Sequence, residues 1–278
     1  MRVARSLKDL RAGRAELSSP FGLIPTMGYL HEGHLSLVRR ARQECQSVGV
    51  SIFVNPTQFG PHEDLEAYPR DEARDLRLLE AEGVDLVWLP PVEEVYPPGS
   101  QTWVEVEGLT QPLEGAHRPG HFRGVTTVVA KLFNAFRPDR AYFGQKDAQQ
   151  ALVIRRMTLD LLFPLEVIVC PTVREADGLA MSSRNAYLDP EERKAATVLY
   201  RALRAAQEAF EQGEREAESL RQTMTRVLAS EPRAKVQYIS VANPETLDEL
   251  QGSVERALLS MAVFIGRTRL IDNILIGG

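Results

Sequence analysis

"FGLIPTMGYLHEGHLSL", residues 21–37, passes in one step from a short apolar run to an amphipathic one. FGLIPT (21–26) has the length and apolar density of a buried strand, and the stretch from 34 to 47 has a helical period. Between them stand Gly28 and Gly33, five residues apart. That is the glycine spacing of a phosphate-binding loop, but His34 and Leu35 occupy the places where such a loop needs Lys and Ser or Thr. A strand, a glycine turn and a helix start still make an anion site. Open α/β sheets take ligands at the carboxyl ends of their strands, where helix N-termini present unpaired N–H groups. The glycines let a ligand approach the backbone, and His31 and His34 add side-chain donors aimed at the same group.

The same alternation continues outward. VGVSIFVN (48–55), VDLVWLP (84–90), RAYFG (140–144) and LEVIVC (165–170) read as further strands, with helices over 70–82, 124–136 and 146–161 between them. The expectation is an α/β, Rossmann-like parallel sheet covered by helices. Polar EADGLAMSSRN (175–185) marks a break. Beyond it, residues 189–212 read as one amphipathic helix opened by Asp189 and Pro190, followed by a helix over 214–230. Strands over 235–242, 257–265 and 268–276 complete a smaller α+β unit. Residues 1–176 and 177–278 are thus the expected domains.

The 278 residues, 44% hydrophobic and 26% charged, suffice for a large core. A net charge of −5 argues against a nucleic-acid footprint. Cys45 and Cys170 lack C-x-x-C spacing, which suits a reducing compartment. The first twenty residues lack the apolar core of a signal peptide, and no apolar run reaches 18 residues, so the expectation is a cytoplasmic protein without membrane or nucleic-acid partners.

Three other stretches carry chemistry. YFGQKDAQQ (142–150) places Lys146 and Asp147 after a strand-end glycine, at a helix start. A cation there is unfavourable for the helix dipole unless an anion joins it, and only five of the 33 basic residues are lysine (Lys8, Lys131, Lys146, Lys194, Lys235). MSSRN (181–185) offers two hydroxyls and a guanidinium in a linker, a set suited to a mobile phosphate clamp. NPTQF (55–59) sets the neutral amides of Asn55 and Gln58 at the end of a strand, groups that orient hydroxyls and carboxylates without adding charge. A zinc site is the competing reading of the pairs His31/His34 and His117/His121. The first is H-E-G-H rather than H-E-x-x-H, and Pro119 and Gly120 break the helix that would align the second.

Taken in order, PTMG-LHEGH (25–34), NPTQFG (55–60), EDLEAYPRD (63–71), GHFRGVTTVVAKLF (120–133), FG-KD-QQ (143–150), VREADGLAMSSRN (173–185) and TRLIDNI (268–274) resemble the pantoate–β-alanine ligase (pantothenate synthetase) family along nearly the whole chain. Tyr29 and Gln145 depart from its pattern, which usually has a small residue and a glutamate there. The resemblance implies a nucleotidyltransferase fold of the HIGH/KMSKS superfamily, in which His31–His34 is similar to the HIGH signature and Met181–Arg184 to a shortened KMSKS loop. It implies ATP-driven joining of pantoate and β-alanine through pantoyl adenylate, in pantothenate and coenzyme A biosynthesis. The nearest alternative is a nucleotidyltransferase that stops at an adenylylated product.

Carried onto this sequence, the resemblance gives His34, His31 and Lys146 the catalytic role. ATP would be held by Met27, Gly28, Tyr29, Leu30, His31, Glu32, Gly33 and His34. Gly144, Gln145, Lys146, Asp147 and Val173 would add to that site, with Met181, Ser182, Ser183 and Arg184 closing on the phosphates. Gln58, Gln150 and Asn55 would take pantoate and β-alanine, and Met27 and Phe59 would wall the dimethyl group. Magnesium would come with the triphosphate, with no protein ligand assigned. The C-terminal domain would act as a lid, and the protein would be a homodimer.

Overall fold

The chain, described at residues 1–61 and 63–277 in a computed structural model, opens with a short strand, β1 (Arg2–Ala4), and a helix, α1 (Leu7–Ala15), neither of them anticipated from the sequence. Then come β2 (Phe21–Thr26), α2 (Glu32–Glu44), β3 (Ser47–Ile52), α3 (Glu72–Ala81), β4 (Leu86–Trp88) and the short helices α4 (Val92–Val95) and α5 (Glu114–His117). They are followed by α6 (His121–Phe136), β5 (Arg140–Gly144), α7 (Ala148–Asp160) and β6 (Glu166–Cys170). The six strands form one parallel sheet in the order β1-β4-β3-β2-β5-β6. The expected Rossmann-like sheet is present.

Burial explains why the central strands β2, β3, β4 and β5 read as apolar runs: they are covered on both faces, whereas the edge strands β1 and β6 are partly exposed. Leu23, Leu86, Ala141 and Phe143 join a core with α1, α6 and α7. Ile24, Val50, Val87 and Tyr142 face a second core with α2 and α3. Alternation along each strand thus serves two apolar layers. The strand order reverses between β2 and β5, the switch point at which such sheets open a crevice beyond their carboxyl ends. Thr26 and Gly144 are the last residues of those two strands.

The chain folds as two compact units. The first holds residues 1–110, 115–145 and 150–171; the second holds 111–114, 146–149 and everything from Thr172 onward. In the second, α8 (Pro190–Ala195), α9 (Val198–Glu211) and α10 (Ala217–Ala229) precede an antiparallel sheet, β7 (Ala234–Ala242), β8 (Ala257–Ile265) and β9 (Thr268–Ile276). The single helix expected over 189–212 is two. Asp189 and Glu192 form the reciprocal cap that starts α8, but Thr197 N–H and Leu199 N–H bond to carbonyls three residues back and interrupt the ladder.

One face of the antiparallel sheet packs Leu259, Met261, Val263 and Leu270 against α9 and α10. From the other, Arg269 reaches Glu114 with two bonds of 2.7 Å, the Tyr238 hydroxyl donates to Glu114 at 2.9 Å, and Asn273 meets Lys146. The short segments 111–114 and 146–149 therefore belong with this sheet through their side-chain bonds. Burial beside Glu114 drives the Tyr238 phenol well above its ordinary pKa.

Candidate active site

The turn after β2 is held in a conformation few residues adopt. Gly28 and Tyr29 both have positive φ, 81° and 49°. At Gly28 a Cβ would also lie 2.9 Å from the Ile52 side chain, so two constraints require glycine. Asp75, 1% exposed on α3, pins the turn: its carboxylate accepts from Tyr29 N–H at 2.7 Å and Leu30 N–H at 2.8 Å. Burial pushes its pKa up against the pull of those two amides. Arg74 donates to the Leu30 carbonyl at 2.8 Å and lies over the Tyr29 ring. Asp75 escaped sequence reading because DEARDLRLLE carries many acids and nothing local marks which one is buried.

The turn delivers His31 to the N-cap of α2. Its Nδ1 accepts from Gly33 N–H at 3.2 Å, while His31 N–H donates to Nδ1 of His34 at 3.3 Å, so the two imidazoles cap the helix reciprocally. Their ring centroids are 4.1 Å apart. An Nδ1 that accepts carries no proton, so both rings are neutral tautomers protonated at Nε2. The sequence-predicted pair is thus brought together, as two Nε2–H donors at a helix start. Glu32, beside them, turns its carboxylate to Arg39, which also bonds Glu82.

A second cluster surrounds Gln58. Asn55, 1% exposed, spends its amide inside the protein. It donates to Gln58 Oε1 at 3.0 Å and the Gly124 carbonyl at 3.1 Å, and its Oδ1 accepts from Thr57 and from the Tyr96 hydroxyl. Gln58 Nε2 in turn donates to the Met27 sulfur at 3.3 Å, which ties this turn to the end of β2. Asn55 therefore orients Gln58. The turn packs so tightly on α6 that a Cβ at Gly124 would lie 2.4 Å from the Thr57 carbonyl oxygen. A glycine inside the apolar helical run GVTTVVAKLF was the available sequence signal for that approach.

The Gln58 carbonyl is also fixed. His121 Nδ1 lies 2.8 Å from it, while His121 Nε2 is 3.1 Å from Arg118, whose guanidinium makes a bidentate pair with Glu63 at 2.7 and 2.6 Å. Arginine is always a donor, so Nε2 accepts and Nδ1 carries the proton. His117 closes α5 and His121 opens α6, the break expected at Pro119 and Gly120. Among the described residues no three His, Cys, Asp or Glu gather as metal ligands.

Gly144 ends β5 with open space where a Cβ would stand. Lys146 and Asp147 follow in a short 3₁₀ turn with their charges 3.6 Å apart. Gln149 is buried against the Pro112 carbonyl and Glu114 N–H, whereas Gln150 is half-buried on α7. In the second unit, the Val173 carbonyl accepts from Met181 N–H at 3.0 Å across a small hairpin. Ser182 caps the 3₁₀ turn of Ser183 and Arg184 through Arg184 N–H.

The sequence profile of the Pantoate-beta-alanine ligase family matches residues 2–275. Pantothenate synthetases of Roseiflexus sp. (strain RS-1) and Herpetosiphon aurantiacus are 64% and 58% identical to this chain over 98% and 99% of its length, with 98% and 99% of their own lengths covered. The crystal structure of pantothenate synthetase from Thermus thermophilus superposes with a TM-score of 0.96 at 51% identity, each chain fully covered. Pantoate-beta-alanine ligase from Francisella tularensis, complexed with Beta-gamma ATP and Beta-alanine, gives 0.82 at 36% identity over 99% of this chain and 97% of that one. With the fold, the imidazole pair and these likenesses in agreement, the chain belongs to the pantoate–β-alanine ligase family.

Proposed function

We propose that this protein joins pantoate to β-alanine, driven by ATP, in two steps. Pantoate's carboxylate oxygen attacks the α-phosphorus of ATP and pyrophosphate leaves; the β-alanine amine then attacks the acyl carbon of pantoyl adenylate, loses a proton and releases AMP. The end-to-end family match carries the reading, and the local chemistry supports it. Attack at phosphorus builds charge on equatorial oxygens and on the leaving pyrophosphate, so donors fixed in advance contribute most. The neutral Nε2–H groups of His31 and His34 are such donors, with Lys146 adding full charge.

Gly144 leaves room for a nucleotide, and Gly28, Tyr29, Leu30, Gly33, Gln145, Asp147 and Val173 contribute backbone to it. Met181, Ser182, Ser183 and Arg184 close on the β- and γ-phosphates. Gln58, oriented by Asn55, and Gln150 take pantoate's hydroxyl and carboxylate, beside Met27 and Phe59. Magnesium would enter with the triphosphate, which would be its main source of ligands. Residues 177–278 act as the lid of the catalytic domain 1–176, in a cytoplasmic homodimer. No helix among the described residues is long and apolar enough to cross a membrane.

The test is isotope exchange. Labelled pyrophosphate enters ATP only when pantoate is present, and AMP appears in bulk only when β-alanine is added. Exchange without pantoate, or a stable adenylylated product in the presence of β-alanine, overturns the proposal.

A further inference from the structure

Lys146 follows β5 in the sequence, yet its backbone is held by a strand more than a hundred residues later. Asn273 on β9, 5% exposed, donates from Nδ2 to the Lys146 carbonyl at 2.9 Å. The next residue back, Asp272, is 2% exposed and makes a bidentate pair with Arg174 at 2.6 and 2.9 Å. Its Oδ1 also accepts from Asn273 N–H at 2.8 Å. Arg174 is itself clamped, 4.0 Å over the ring of Tyr200 and bonded to the Gly178 carbonyl at 3.1 Å. Gly178 has a φ of 93°, and a Cβ there would strike that same ring.

β9 is an edge strand, with β8 on one side only. Arg174 bonds to Asp272 and to the Asn273 carbonyl, and Asn273 reaches Lys146, so this stretch of the edge strand holds two segments rather than standing open as a pairing hazard. A buried ion pair of this kind is weak evidence for stability, because desolvation offsets much of its attraction. Fixing the geometry of whatever hangs from it is the better explanation.

We infer that Asn273 is a positioning residue for Lys146, and that the Arg174–Asp272 pair fixes the strand from which Asn273 reaches it. The inference rests on the proposed role of Lys146 in adenylate formation. A side chain that meets a reacting phosphate is sensitive to displacements of about 1 Å, which cost up to about a hundredfold in rate. A carbonyl anchor two bonds from the lysine Cβ sets such a displacement.

The experiment is a double-mutant cycle in pyrophosphate exchange, with Lys146→Ala, Asn273→Ala and the combined variant, and thermal unfolding measured on each. Asn273→Ala is expected to lower kcat about 10- to 100-fold with the KM for pantoate within about twofold. In the Lys146→Ala background the same change is expected to have almost no further effect. Asn273→Leu, which keeps the volume without the donor, replaces Asn273→Ala if the latter fails to fold. Two results overturn the inference: kcat retained in Asn273→Ala while Lys146→Ala is crippled, which leaves the reading of Lys146 intact, or an equal loss in both backgrounds, which marks a general structural effect. Full activity in Lys146→Ala removes both the inference and that reading.

Discussion

Two histidine pairs stand at similar spacings in this sequence, and the fold puts His31 and His34 of the first to one use and His121 of the second to another. His31 and His34 turn Nδ1 to backbone N–H groups, which leaves the ring proton on Nε2. His121 receives Arg118 at Nε2 and directs Nδ1–H to the Gln58 carbonyl. The first arrangement presents donors beyond a helix start; the second uses imidazole as a brace between an ion pair and a turn. Residue type and spacing do not decide between donor and brace. The nitrogen that the surrounding backbone occupies does, because it fixes the tautomer.

The comparison breaks most directly at His34. His34→Ala removes one fixed donor and is expected to slow pyrophosphate exchange a hundredfold or more, about 3–4 kcal/mol of barrier. The accompanying loss of stability is smaller, about 1 kcal/mol, since the helix loses one reciprocal cap. His121→Ala is expected to reverse the balance. It removes one of the bonds that hold the Gln58 carbonyl and Arg118, so melting temperature is expected to fall and the KM for pantoate to rise, with kcat nearly unchanged. If His121→Ala proves the slower enzyme, the distinction between donor and brace is wrong.

The supports of the two regions come next in size. Gly124→Ala puts a methyl group 2.4 Å from the Thr57 carbonyl, and backbone on the receiving side yields little. Overpacking of this kind costs about 1–3 kcal/mol, and the displaced turn carries Gln58 with it, so pantoate binding is expected to weaken in parallel. Asp75→Asn retains size but offers one amide oxygen where a carboxylate met two N–H groups. One buried donor then goes unmet, a cost of about 1–3 kcal/mol. Chemical denaturation of the two variants, alongside substrate titration, separates them: Gly124→Ala is expected to act on pantoate and Asp75→Asn on ATP.

Those supports mark where the sequence stopped being legible. The strands could be read because a parallel sheet buried on both faces demands apolar runs of four to six residues, and FGLIPT and RAYFG supply them. β1 escaped because RVA is too short to show any period. The interruption between α8 and α9 escaped because Ala196 and Thr197 are neither glycine nor proline, and the chain stays near helical geometry there. The histidines announced themselves by type and by their glycine neighbours. Asp75 and Asn273 did not, since each acts on a partner distant in the chain that no local pattern marks, and Gly124 left only the signal of a glycine inside an apolar helical run.

The smallest expected effect lies outside both histidine regions and serves as their control. Asp177 pairs with Arg193 at 2.8 Å in the second unit, and that hydrogen bond lowers its carboxyl pKa, with burial opposing. A carboxylate whose folded pKa is depressed adds stability above its unfolded pKa, near 4, and loses it as pH falls through the folded value. Because the Asp177 side chain is 47% exposed, solvent screening holds the contribution to about 0.5 kcal/mol. Asp177→Asn is therefore expected to unfold slightly more readily than the parent at pH 7. The gap should close as the pH is lowered below 4, with exchange activity at neutral pH unaltered. A gap that persists in acid would mean that Asn at this position disturbs packing, and a change in exchange would mean that the hairpin carrying Asp177 influences the turn at 181–184, proposed above to close on phosphate, more tightly than its exposure suggests.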